Sequence, residues 1–137
     1  MTLRLAGTNT DDNRIAGTVT EQGGVNNITL GLTKAEVGNW TLAGALSHTG
    51  PTTVEQGSLC LEAMSHDNTN TGAITVNSGA VLQLVTNDAN PRRVTGTAPV
   101  TVNGTLRTGA SAAASAVAKY GGALTFNSGS VLELGAA

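Results

Sequence analysis

Four segments of this chain repeat one plan at nearly one spacing: TTVEQGSLCL (Thr52 to Leu61), ITVNSGAVLQL (Ile74 to Leu84), VTVNGTLRT (Val100 to Thr108) and LTFNSGSVLEL (Leu124 to Leu134). Each reads as a short strand, a turn built on Asn, Ser and Gly or on Glu, Gln and Gly, and a second short strand. The apolar residue before the turn is Val54, Val76, Val102 and Phe126 in succession, at spacings of 22, 26 and 24 residues. Independent hairpins have no reason to keep such a period. A parallel β-solenoid does, because each coil stacks on the last and equivalent positions form columns of like side chains. The expected fold is therefore all-β, a right-handed parallel β-helix of about five to six coils with three short strands per coil. An antiparallel sandwich is the runner-up.

Several residues follow from that stacking. Asn77, Asn103 and Asn127 should form an asparagine ladder at one corner, and Gly79, Gly104 and Gly129 should supply the unusual backbone angles of that corner. Period-2 alternation within the strands assigns Val54, Leu59, Leu61, Ile74, Val76, Leu82, Leu84, Val102, Leu106, Phe126, Leu132 and Leu134 to the interior. With aromatic residues at only 2%, the core has to be aliphatic, and a lone cysteine, Cys60, removes any internal disulfide framework.

The N-terminal half carries weaker echoes. LAG at Leu5 to Gly7 returns at Leu42 to Gly44, and EQG at Glu21 to Gly23 returns at Glu55 to Gly57. Offsets of 37 and 34 residues suggest the same unit with altered loops. Ala110 to Lys119 alone has helical composition and reads as an Ala-rich excursion between coils. The whole chain, 1–137, reads as a single solenoid domain. It opens on MTLRLAG and finishes on SVLELGAA, both in strand pattern and neither resembling a cap, so copies are expected to stack head to tail.

From Leu32 to Leu61 the chain reads LTKAEVGNWTLAGALSHTGPTTVEQGSLCL. This resembles the autotransporter-associated β-strand repeat, also called the passenger-associated transport repeat, of large bacterial secreted and surface proteins. Trp40, Leu42, Gly44, Thr49, Gly50, Thr52, Thr53, Val54, Gly57, Leu59 and Leu61 fall on its pattern, whereas Glu36 and Asn39 stand where the repeat has glycine, and Ser47-His48 where Thr-Tyr is usual. Residues 62–137 resemble degenerate copies and 1–31 a weaker one. The resemblance implies an extracellular or cell-surface stalk or passenger with no catalytic site and no cofactor.

The chemistry-bearing residues agree with that expectation. Seven Lys and Arg scattered along a chain of net charge -2 leave no basic stripe for nucleic acid, and no apolar run reaches the roughly 20 residues of a membrane span or the layout of a signal peptide. His48 and His66 read as two surface-loop histidines without a metal-ligand pattern. Glycoside hydrolysis needs two carboxylates facing each other, and only Asp11 and Asp12 are adjacent; they read as a turn cap. Cys60 lies between two inward leucines without a base beside it, Trp40 reads as core, and Arg92-Arg93 as a solvated loop tip. The expected function is a non-catalytic scaffold segment that binds itself. A passenger fragment binding cell-surface glycans and a truncated carbohydrate-active enzyme are the alternatives.

Overall fold

The computed structural model describes residues 1–23, 28–86, 92–110 and 121–134. Among these residues, fourteen strands are wound into a parallel β-solenoid. One face, sheet A, stacks β1 (Thr2–Leu5), β4 (Gly31–Lys34), β7 (Thr52–Val54), β9 (Ile74–Val76), β11 (Val100–Val102) and β13 (Leu124–Phe126) in that order. The second, sheet B, stacks β2 (Asn13–Ile15), β5 (Asn39–Leu42), β8 (Ser58–Ala63), β10 (Val81–Thr86), β12 (Thr105–Ala110) and β14 (Val131–Leu134). A third side pairs only β3 (Val19–Thr20) with β6 (Leu46–Ser47). The expected third strand is thus regular in the first two coils alone among the described residues.

Below β6 the third side has no regular strand pair among the described residues, and isolated backbone bonds, from the Thr69 N–H to the Leu46 carbonyl and from the Asn68 N–H to the Arg93 carbonyl, both at 2.8 Å, act together with side-chain bonds. The amide of buried Asn68 accepts from the Leu46 N–H at 2.9 Å and donates to the Val94 carbonyl at 2.7 Å, so one residue ties three successive coils. The Ala-rich stretch from Ala110 to Lys119 lies, apart from Ala110, outside the described residues.

The register explains the period. Val54, Val76, Val102 and Phe126 pair in succession, as do Leu59, Leu82, Leu106 and Leu132. Val54, Leu59, Leu61, Ile74, Val76, Leu82, Leu84, Val102 and Leu106 are buried in one continuous core. Phe126, Leu132 and Leu134 occupy the same inward columns, but they are 40%, 48% and 74% exposed, which corrects their assignment to the interior. Each belongs to the last rung, with a paired rung on one side only.

The N-terminal echoes are not the coil repeat. Leu5 lies in sheet A opposite Lys34, whereas Leu42 lies in sheet B opposite Ile15, so the two LAG copies sit on different faces. The first coil is matched to the second by Leu3 opposite Leu32 and Asn13 opposite Trp40. A longer first coil hid that pairing.

The corner between sheets A and B is a tight turn. Ala80 and Ser130 donate their N–H groups to the carbonyls of Asn77 and Asn127 at 3.0 and 3.1 Å, with Gly79 and Gly129 at φ 80° and 85°. Such angles match the third position of a type II turn, which favours glycine. Gly104 differs: it is not at positive φ, and the residue is small for another reason, since a Cβ there would run into the carbonyl oxygens of Asn77 and Ala80. Two coils above Gly79, Glu36 adopts φ 63° where the repeat has glycine. Its carboxylate accepts from the Gly7 N–H at 3.0 Å and from Arg4 at 3.4 Å, which helps offset the cost of a left-handed non-glycine residue.

Candidate functional site

Residues alternate across a strand, so the column next to the buried leucines of sheet B must face outward. It runs Arg14, Thr41, Cys60, Gln83, Arg107, Glu133 through six rungs. The turn before β2 folds over its upper end and, with Asn39 and Ser58 along one edge and Glu62 and Val85 along the other, makes a groove of about 610 Å³. This groove gathers acidic, basic and thiol groups together.

Two acids meet there from distant coils. Asp12 accepts a hydrogen bond from the Thr41 hydroxyl at 2.5 Å. Glu62 accepts both ends of the Arg14 guanidinium, at 2.9 and 2.6 Å, and Arg14 also lies 4.0 Å from Asp12. The pair that sequence reasoning singled out, Asp11 and Asp12, does not converge; Asp11 instead donates its backbone N–H to the Asn9 side chain at 3.0 Å. Arg14 and Glu62 were missed because 48 residues separate them. The coil register was the signal that could have joined them.

The arrangement is poor in reactive groups. A glycosidase needs one carboxylic acid kept protonated and one free carboxylate, but Glu62 is held by a bidentate arginine and Asp12 by a hydroxyl. Cys60 is half-buried between them; burial, together with the carboxylates of Glu62 and Asp12, pushes its thiol up to about 12. A thiol that stays protonated at neutral pH is a weak nucleophile. Trp40 lies in the inward column, packs against the core and donates its indole N–H to the Ala6 carbonyl at 3.1 Å.

The other sequence-flagged residues are dispersed. His48 is buried at 2% exposure, a correction to its reading as a surface-loop histidine: it follows β6 directly, and its Nε2 meets the buried Thr52 hydroxyl at 2.9 Å. Burial lowers its pKa, and Glu21 opposes that shift. Glu21 in turn accepts from the Leu30 N–H at 3.0 Å and from the Thr49 N–H and hydroxyl at 3.1 Å, and those backbone donors hold its carboxyl below the ordinary range. His66 lies in the turn after β8, half-buried. Arg93 is exposed and donates its N–H to Asp67 at 2.8 Å, while residues 87–91 of that loop lie outside the described residues. In the asparagine column, Asn127 donates to the Asn103 side chain at 2.6 Å, but no side-chain bond joins Asn103 to Asn77. Among the described residues no three His, Cys, Asp or Glu side chains gather as a metal site, and no helix is long and apolar enough to cross a membrane.

The residue that sequence reasoning passed over most completely is Lys34. It is fully buried in the inward column of Val54 and Val76, and its ammonium donates to the carbonyls of Ala35, Glu36 and Gln56 at 2.9, 2.8 and 3.0 Å. Three donors meet three acceptors, and burial lowers the pKa, against the pull of Glu36. The lysine in the LTK of the repeat pattern was its signal.

The family model for the passenger-associated-transport-repeat matches residues 32–59 and 63–84. Those two segments are similar to passenger-associated transport repeats. The first match runs from β4 through sheet B and the third side to β8, and the second from the end of β8 to β10, so each repeat follows the winding of the solenoid. The two matched segments thus coincide with successive rungs of the solenoid. No curated protein and no solved structure matches the chain.

Proposed function

We propose that this chain is a non-catalytic extracellular scaffold segment whose rungs are extended by end-to-end stacking of further copies. The observation that carries this reading is the last rung: Leu124, Phe126, Val131, Leu132 and Leu134 are 36% to 74% exposed while their column neighbours one rung earlier are largely covered. An open strand edge backed by exposed apolar side chains favours a further parallel rung. Six rungs at about 4.8 Å give an axial repeat of about 29 Å per copy. Negative-stain electron microscopy and sedimentation of the purified chain test this: filaments with that repeat are expected, and a monodisperse monomer at high concentration would overturn it.

A second reading concerns the groove on sheet B. Its lining carries neutral hydrogen-bonding side chains, Asn39, Thr41, Ser58 and Gln83, a composition suited to a sugar hydroxyl array. Binding to a cell-wall or host glycan array, weakened by Gln83→Ala, would support a glycan-binding passenger. An array with no signal would remove it.

A further inference from the structure

The stacking reading leaves open how two copies would meet, and the strand register supplies an answer that rests on that reading. In sheet A the column Leu3, Leu32, Thr52, Ile74, Val100, Leu124 and the column Leu5, Lys34, Val54, Val76, Val102, Phe126 each run through every rung. In sheet B the outward column begins at Arg14 and ends at Glu133, and the inward one beside it begins at Ile15 and ends at Leu134. Continuing the columns from the last rung of one copy to the first rung of the next sets Leu124 against Leu3, Phe126 against Leu5, and Leu134 against Ile15. It also sets Glu133 against Arg14.

We infer that the face presented by β13 and β14 takes β1 and β2 of a second copy in that register, with Glu133 seated between Arg107 of its own chain and Arg14 of the next copy. Both charged groups are available: the side chains of Arg14 and Glu133 are each 44% exposed, although Arg14 already holds Glu62 and Glu133 already holds Arg107. The completed outward row would run Arg107, Glu133 and Arg14 of the next copy, one acid between two bases across the junction. Opposite charges on directly paired residues stabilise a sheet and like charges destabilise it.

Charge also selects the register. A slip of one residue turns every inward side chain outward, which the hydrophobic columns forbid. A slip of two keeps the faces, and in one direction it brings Glu133 opposite Asp12 of the next copy, a like-charge contact; in the other it brings Glu133 opposite Ala16, with no charge to meet. Only the unslipped register pairs Glu133 with a cation.

Disulfide trapping tests the register. Directly paired parallel residues lie about 4.8 Å apart, within the Cα span of a disulfide. In a Cys60→Ser background, Thr125→Cys chains are mixed under mild oxidation with Arg4→Cys chains, or with Thr2→Cys chains as the two-residue slip. The expected result is a heterodisulfide from the Thr125→Cys and Arg4→Cys mixture alone, and a ladder of multimers when both changes are on one chain. Glu133→Lys should weaken self-association of the otherwise native chain at least tenfold, with its circular dichroism unchanged. Association without that cross-link, or cross-linking through Thr2→Cys or between identical variants, would overturn the register and leave stacking standing. Absence of concentration-dependent association in the unmodified chain would overturn stacking itself.

Discussion

Lys34 and Val54 are paired neighbours in one inward column, a buried lysine directly beside a buried valine. The ammonium is tolerated because three carbonyls at the corner receive its three protons. Replacing Lys34 with Met keeps the chain length but leaves those acceptors without their donor. Unsatisfied buried groups cost about 1–3 kcal/mol, so Lys34→Met is expected to lower stability by that order in urea unfolding, despite removing a buried charge. An increase in stability would show that desolvation of the ammonium outweighs its hydrogen bonds.

Asn103 and Asn77 share a column but differ in partner. Removing the Asn103 side chain deletes the 2.6 Å bond from Asn127 and should cost on the order of 1 kcal/mol. Asn77→Ala should cost less. Equal losses in paired denaturant titrations would mean that the column acts as one ladder.

Gly104 and Gly79 are constrained by different physics, close approach in one case and a left-handed φ of 80° in the other. Gly79→Ala has open space for the methyl and should cost about 1–2 kcal/mol for the backbone angle alone. Gly104→Ala presses the methyl onto two backbone carbonyls that cannot move independently of their rungs, and should cost more, about 1–3 kcal/mol or above. The order of the two melting temperatures checks this.

The two sheets were legible in the sequence because a spacing of 22 to 26 residues is a direct image of strand register. The first coil was not, since its turn from Leu5 to Asn13 is longer and its LAG echo lies on the wrong face. The groove was hidden for a related reason: Arg14 meets Glu62 only once two intervening strand pairings are known. His48 was misjudged because its surroundings looked polar, whereas Leu46, His48 and Gly50 all alternate inward.

The raised pKa of Cys60, about 12, predicts a sluggish thiol. Alkylation by iodoacetamide at pH 8 should be slow in the folded chain and should accelerate by more than tenfold in urea, where the thiol regains its ordinary pKa of about 8.5. Fast labelling of the folded chain would show that the groove leaves the sulfur open.

His48 and Glu21 give the fold a shared acid sensitivity. Both folded pKa values are lowered, so each group binds fewer protons folded than unfolded once the pH falls below its ordinary value. His48 stability is therefore complete above about pH 6.5 and declines below it; that of Glu21 is complete above about pH 4.5 and declines as the pH falls further. Urea midpoints measured from pH 8 to pH 2 should fall in two stages. His48→Gln, which keeps a polar atom near the Nε2 position, should flatten the first stage and spare the second. An unchanged first stage would assign it to another group.

The tie made by Asn68 has a consequence for how such a chain can vary. Only three residues separate Val54 from Ser58 and two separate Val102 from Thr105, so an insertion there would throw both sheets out of step. On the third side, the passage from Leu42 to Thr52 or from Thr86 to Val100 is longer and differs from coil to coil, and below β6 the Asn68 amide and a few isolated backbone bonds bridge what strands bridge elsewhere. New peptide can be spliced into that side while the sheets keep their register. The winding is fixed on two faces and free to carry new sequence on the third.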